Sequence, residues 1–157
     1  MPHTLRSIQV TDEQVAELTM LCGFDDDLAA PITQVGNRVR GLLTQIHPAL
    51  ERVIGPRLDH PAILDLLQHW PSPHDLRSAG EKRIAARMLN LAPRKGREWA
   101  HEIVRALGEQ TVVVTGTSAA ALVVPRLAAQ LTTLRKQRDE IAAEVEKLVM
   151  RTLFSQS

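Results

Sequence analysis

Two apolar stripes, one early and one late in the chain, restrict the fold more than any other feature of this sequence. Leu28, Ile32, Val35, Val39, Leu42 and Ile46 are spaced 4, 3, 4, 3, 4, the alternation of a narrow coiled-coil seam rather than the wider face of a globular helix. Roughly eighty residues later Leu127, Leu131, Leu134, Arg138, Ile141, Val145 and Leu148 repeat the rhythm. A lone helix with such a stripe would expose several leucines and associate. The expected fold is therefore all-α: two long heptad-patterned helices forming an antiparallel coiled coil, with a head of short helices between them. Pairing between two copies would satisfy the same seams. Arg138 is a charged seam position, which costs stability and can fix register or partner.

The punctuation along the chain divides it further. Residues 1–10 carry no period and read as an extended lead-in. Thr11-Asp12-Glu13-Gln14 is a capping box that opens a helix, with Val15, Leu18 and Leu21 or Cys22 on its apolar side and Gly23 as its terminator. Asp25, Asp26 and Asp27 then precede the first seam helix, which tolerates Pro31 in its opening turns and ends at His47-Pro48. Residues 11–46 thus hold the N-terminal helix and the first seam helix, and 47–116 the head. In the head, Pro61–Trp70 reads as a helix, and Ser72 caps another with Pro73 at its first position. Glu81–Leu89 and Arg97–Leu107 are two more, divided by Pro93 and Gly96. Thr111–Thr115 is the only strand-like run; lacking a partner strand, it reads as a connector. Residues 117–150 form the second seam helix, capped by Ser118, and 151–157 a tail.

Aromatic residues make up only 3% of the chain, with no Tyr, which favours long helices over a β-sandwich. The formal charge of +1 gives no bulk attraction to nucleic acid or membrane, so any such affinity must come from local distribution. That distribution is uneven. Thr11–Ala30 holds six acids and no Lys or Arg, whereas Arg77–Arg105 holds eight bases against three acids. The single Cys22 excludes an internal disulfide and reads as a small buried apolar residue in a reducing compartment. No apolar run reaches the length of a membrane span and no signal-peptide pattern is present, so the expected location is cytoplasmic, nucleoid-associated if DNA is bound.

Catalytic patterns are sparse. The Asp25–Asp27 triplet supplies hard oxygen ligands, but three neighbours on a helix do not converge on one point, and acids at a helix start are expected from the macrodipole. His3, His47, His60, His69, His74 and His101 show no zinc-ligand spacing. Asp65 and His69 could orient one another, although such pairs recur by accident on helices. No nucleophile elbow, phosphate loop or dinucleotide fingerprint occurs. The expected site residues are therefore catalytic none and metal none, with nucleic-acid contact through Lys82, Arg83, Arg87, Arg94, Lys95 and Arg97. These bases lie on one helix and around a Pro/Gly turn leading into the next, an arrangement that can present cations and amides to phosphate.

Thr11-Asp-Glu-Gln-Val-Ala-Glu-Leu, Gly23-Phe-Asp-Asp-Asp-Leu-Ala-Ala, Asn37-Arg-Val-Arg-Gly-Leu-Leu-Thr-Gln-Ile-His-Pro-Ala-Leu-Glu-Arg-Val, Gly55-Pro-Arg-Leu-Asp-His-Pro-Ala, Glu109-Gln-Thr-Val-Val-Val and Leu127-Ala-Ala-Gln-Leu together resemble the middle of bacterial insertion-sequence transposases of the DEDD class, the insertion-sequence-110 type. The resemblance runs from about Thr4 to Leu148. It implies DNA transposition by a recombinase with a RuvC-like half carrying four metal-binding acids and a C-terminal half carrying a nucleophilic serine, guided by a structured RNA. A helical segment joins the halves and helps to assemble subunits, and this chain looks like that segment. On that resemblance, no family catalytic residue carries over: the Asp triplet does not match the acid tetrad, and Ser72, Ser78 and Ser118 lie outside the serine motif. Pro31 and the tail from Met150 depart from the family pattern, as a truncation or frameshift would produce. The implied partners are DNA and a guide RNA, bound weakly, together with a second copy or a full-length transposase. The implied cofactor is none for this segment, with a divalent metal for the full-length family.

Overall fold

Thr11 and Gln14 close the first helix as the capping box requires: the Gln14 amide donates to Thr11 Oγ1 at 3.1 Å, and the Thr11 amide to Gln14 Oε1 at 3.0 Å. This computed structural model describes residues 10–154, which contain six α-helices and one short 3-10 turn, with no strand among them. The chain is all-helical over those residues. Except for Val10, the lead-in expected over 1–10 lies outside the described residues, and so do residues 155–157 of the tail.

Helix α1 (Asp12–Ile46) runs unbroken through Gly23 and Pro31, where a stop at Gly23 was expected. A glycine often terminates a helix by taking a positive φ; Gly23 does not, and it lies within α1 as a helical residue. Its penalty of about 1 kcal/mol against Ala is small beside the packing of the flanking turns. The three aspartates consequently sit mid-helix rather than at a helix start, and the macrodipole explanation for them falls. Cys22 is exposed, not buried.

Two compact units are built from these helices: residues 10–31 with 134–154, and Ile32–Thr133. In the second unit, α1 contributes Ile32, Val35, Val39, Leu43 and Ile46 to the core. Leu43 is enclosed, whereas Leu42 is half-buried. The successive steps of four from Val35 to Val39 to Leu43 describe the broad stripe of a helix packed on a globular core. His47 ends α1, and α2 (Pro48–Ile54) follows at once, with the Leu50 amide donating to His47 Nδ1 at 3.1 Å. His60 caps α3 (Pro61–His69) in the same manner, accepting from the Ala62 amide at 3.1 Å. Both helices then begin with proline, which needs no partner for an amide it lacks.

Ser72 caps α4 (Pro73–Met88) as expected, accepting from the Asp75 amide at 3.1 Å while its hydroxyl donates to the Asp75 carboxylate at 2.8 Å. Helix α5 (Gly96–Leu107) ends at Gly108. Helix α6 (Thr117–Phe154) begins one residue before the expected cap, placing Ser118 in its first turn. It seals the second unit with Ala120, Val124, Leu127, Ala128 and Leu131, and Gln68 of α3 reaches it by donating to Thr132 Oγ1 at 3.2 Å. Val39, Ile54, Ile63, Ile84, Ile103 and Val124 lose all solvent contact, each burial stabilising by about 1.5–3 kcal/mol.

In the first unit Leu28 and Leu148 are buried, while Leu134, Arg138, Ile141 and Val145 are half-buried. Two helices cannot enclose a full stripe. Asp25 of α1 accepts from Arg138 of α6 at 3.0 and 3.4 Å, so the charged seam position has a partner. That contact raises the Arg138 pKa, chiefly through the hydrogen bond to Asp25 and then through its charge.

His47 is buried, only 1% exposed. Burial and then the positive charge of Arg77 lower its pKa below 6.5. Because the unfolded chain takes up this proton more readily, the stability contributed by neutral His47 is complete above pH 6.5 and is lost as pH falls through the lowered folded pKa. The slope from one such group cannot exceed about 1.4 kcal/mol per pH unit. Urea midpoints at pH 7.5 and 5.5 are expected to differ more for the wild type than for His47→Asn, which keeps a helix-capping oxygen but does not titrate.

Candidate nucleic-acid interface

The basic stretch folds as a hairpin of two helices, and glycine sets its geometry twice. Gly80 interrupts α4 with φ 80 and ψ 164, a region open essentially to glycine alone, so that residues 81–88 form a separate helical run. The chain then turns through residues 89–95, closed by the Ala92 amide donating to Met88 O at 2.7 Å and the Gly96 amide to Ala92 O at 2.8 Å. At Gly96 a β-carbon would lie 3.1–3.3 Å from the backbone of Met88 and Leu89, which explains how the helices come this close. Ile84 and Met88 from one side and Ala100, Ile103 and Leu107 from the other bury the seam between them. His101 Nδ1 meets Glu81 Oε1 at 3.2 Å across the outer edge.

The six sequence-predicted bases have different fates on this hairpin. Arg87 grips Asp65 of α3 through two bonds, Nε at 2.8 Å and Nη2 at 3.1 Å, so its charge is neutralised by a fixed carboxylate. Lys95 pairs with Glu98 at 3.3 Å in an exposed contact. Lys82, Arg83, Arg94 and Arg97 are exposed and make no hydrogen bond or ion pair within the described residues. Lys82 and Arg83 sit in the first turn after the Gly80 break, and Arg94 and Arg97 flank the start of α5. Arg97, His101 and Arg105 recur every four residues and are all exposed, which extends the basic edge along α5. The four-residue spacing of Arg105 from His101 and Arg97 was the signal that could have added it to the predicted set.

The carboxylate of Asp65 is held by Arg87, and the ring of His69 stands edge-on to Trp70 at 4.5 Å. Arg57 pairs with Glu102 at 2.9 Å and lies over the Trp99 ring, which His60 meets edge-on at 4.8 Å. This cluster fastens α5 to the turn before α3. No three His, Cys, Asp or Glu side chains gather in a metal-binding group among the described residues. No helix there is long and apolar enough to cross a membrane.

Residues 1–48 match the profile of a family described as Transposase, DEDD_Tnp_IS110. The chain is 51% identical over 149 residues to the insertion element IS110 uncharacterized 43.6 kDa protein of Streptomyces coelicolor, covering 95% of this chain and 37% of that protein. It is 30% identical over 147 residues to the insertion element IS900 uncharacterized 42 kDa protein of Mycobacterium paratuberculosis, covering 94% of this chain and 37% of that one. The insertion element IS116 uncharacterized 44.8 kDa protein of Streptomyces clavuligerus is similar at 30% identity over 135 residues. The chain therefore spans little more than a third of the length of these relatives. No solved structure matches it.

Proposed function

Since this chain belongs to the IS110-type family of insertion-element transposases, we propose that it is a non-catalytic part of a DNA-transposition protein that holds nucleic-acid backbone on its α4–α5 hairpin and joins subunits through its long helices. The observation that carries the first half is the set of four exposed bases, Lys82, Arg83, Arg94 and Arg97, which pair with no carboxylate among the described residues. Unpaired cations on a rigid hairpin suit phosphate, whose condensed counterions they displace. They carry no base-reading geometry, so the contact positions DNA or a guide RNA without choosing its sequence. Arg87 belongs to the support of this surface rather than to the contact, because leaving Asp65 would break two bonds.

The second half rests on residues 12–31 and 134–154. Asp25 meets Arg138, while Gln14 and Glu17 line one shallow cavity with Leu148, Arg151 and Phe154. These two meetings support the reading of α1 and α6 as an antiparallel coiled-coil pair. Met20, Phe24, Val149, Met150, Leu153 and Phe154 remain exposed, and exposed apolar side chains at the ends of paired helices suit a pairing surface. That surface favours a further reading, a pairing module with no nucleic-acid role.

One titration separates the two. Binding of a DNA duplex and of an RNA hairpin is measured from low to moderate salt for the wild type and for a variant with Lys82, Arg83, Arg94 and Arg97 all replaced by Ala. The expected result is sequence-independent binding whose logarithmic salt slope falls by about one for each base removed, with at least about tenfold weaker binding at low salt. No binding by the wild type, or an unchanged slope in the variant, overturns the backbone contact. A concentration-dependent mass in light scattering would then leave pairing as the function.

A further inference from the structure

A groove of about 250 Å³ lies between α4 and α5, lined by Leu76, Arg77 and Gly80 on one side and by Val104, Leu107 and Gly108 on the other. Two glycines keep its walls bare. A β-carbon at Gly80 would meet nothing within 4 Å, and one at Gly108 would meet only backbone oxygens of the turn it closes, Arg105 O at 3.4 Å and Val104 O at 4.0 Å. Leu76 and Leu107 are buried and Val104 is half-buried, so the lining is largely apolar.

Cations border this apolar surface. Arg77 donates through Nη2 to Leu107 O at 3.2 Å and to Gln110 O, which fixes the guanidinium, while its Nε and Nη1 have no partner among the described residues. Arg97, His101, Val104 and Gly108 recur at helical spacing and share one face of α5. The groove therefore continues the basic edge of that helix, and Arg105, next to Val104, is exposed beside it. Glu81, the acid that follows Gly80, is engaged by His101 at 3.2 Å.

We propose that this groove receives one unpaired base of single-stranded DNA, while phosphates of the same strand lie along the basic edge. The proposal rests on the backbone contact argued above and adds to it a dependence on the base. The volume falls below the roughly 300–1,000 Å³ of drug-sized ligand sites, so a single flat ring system is the occupant that fits. Glycine walls let such a ring approach the backbone closely, and the leucines remove its face from water. The unengaged N–H groups of Arg77 suit the carbonyl oxygen or ring nitrogen of a base edge. Arg97 and Arg105 supply cations for the flanking phosphates. A base paired in a duplex would first have to leave its stack, so a single strand is favoured.

Binding of the whole chain to a single DNA strand with 2-aminopurine at one position, and to the same strand abasic at that position, tests this at low salt. The wild type is expected to bind the intact strand about tenfold more tightly, within the range of stacking one base on a protein surface. Val104→Trp and Gly108→Leu both put bulk at the groove, the second at a φ of −72 that any residue adopts. In each, the ratio is expected to fall to about one with the salt slope unchanged, because Lys82, Arg83, Arg94 and Arg97 remain. A ratio near one in the wild type, with salt-dependent binding intact, overturns the groove and leaves the backbone contact standing; an apolar side chain of a protein partner is then the better occupant. No binding of either strand overturns the backbone contact and the groove with it. Base dependence that appears only with the ribose form of the strand overturns the assignment to DNA, and a ratio preserved in both variants overturns the location. The wild-type ratio decides the case alone if neither variant folds.

Discussion

Truncating Leu43 to Ala is expected to destabilise the Ile32–Thr133 unit by about 2–5 kcal/mol, whereas the same truncation at Leu42 is expected to cost only about 1 kcal/mol. The two leucines are neighbours of identical chemistry, so helix propensity cancels and only burial separates them. Leu43 is 1% exposed and among the largest fully enclosed side chains, while Leu42 retains solvent contact. A strict heptad continued from Leu28 reverses the order, because it places Leu42 in the seam. Urea unfolding of the two variants therefore decides between a coiled-coil register and a globular stripe for this half of α1. Equal losses, or a larger loss at Leu42, would show that the helix meets its partner along the heptad line.

The same pair shows how far the sequence could be read. Apolar periodicity pointed to both long helices, and of the residues it picked out Leu28, Ile32, Val35, Val39, Ile46, Leu127, Leu131 and Leu148 are buried. Over six turns or fewer, however, 3.5- and 3.6-residue repeats drift apart by less than one residue. The choice between Leu42 and Leu43 thus depends on what the helix packs against, which is tertiary information. Capping chemistry was legible wherever it used preferred residues, at Thr11 with Gln14 and at Ser72 with Asp75. It was missed at His47 and His60, since histidine is not a preferred cap. The His-Pro pairs at 47–48 and 60–61 still carried the signal, through the proline that follows.

The basic surface was legible as charge but not as availability. Composition alone cannot distinguish Arg83 from Arg87, which stand one helical turn apart. What separates them is Asp65, brought from α3 by the fold to lie 2.8 Å from Arg87. Long-range pairing of this kind also accounts for Asp25. Its place in an acidic triplet suggested a helix start, and its partner, Arg138, is 113 residues away in sequence.

Gly80→Ala is expected to lower stability by about 1–3 kcal/mol and to weaken nucleic-acid binding along with it. Space is not the obstacle, since a β-carbon at Gly80 would meet nothing within 4 Å. The obstacle is the backbone, whose φ of 80 and ψ of 164 an alanine avoids by returning toward helical angles. A continuous α4 would rotate residues 81–88 about the helix axis and turn Ile84 and Met88, 0% and 1% exposed, out of the core. Lys82 and Arg83 would turn with them. Thermal unfolding gives the stability loss, and the salt slope of binding, measured where the variant is still folded, gives the displacement of the bases. A variant with native melting behaviour would mean that the break in α4 is not imposed by glycine. Normal binding despite lost stability would mean that Lys82 and Arg83 lie outside the contact.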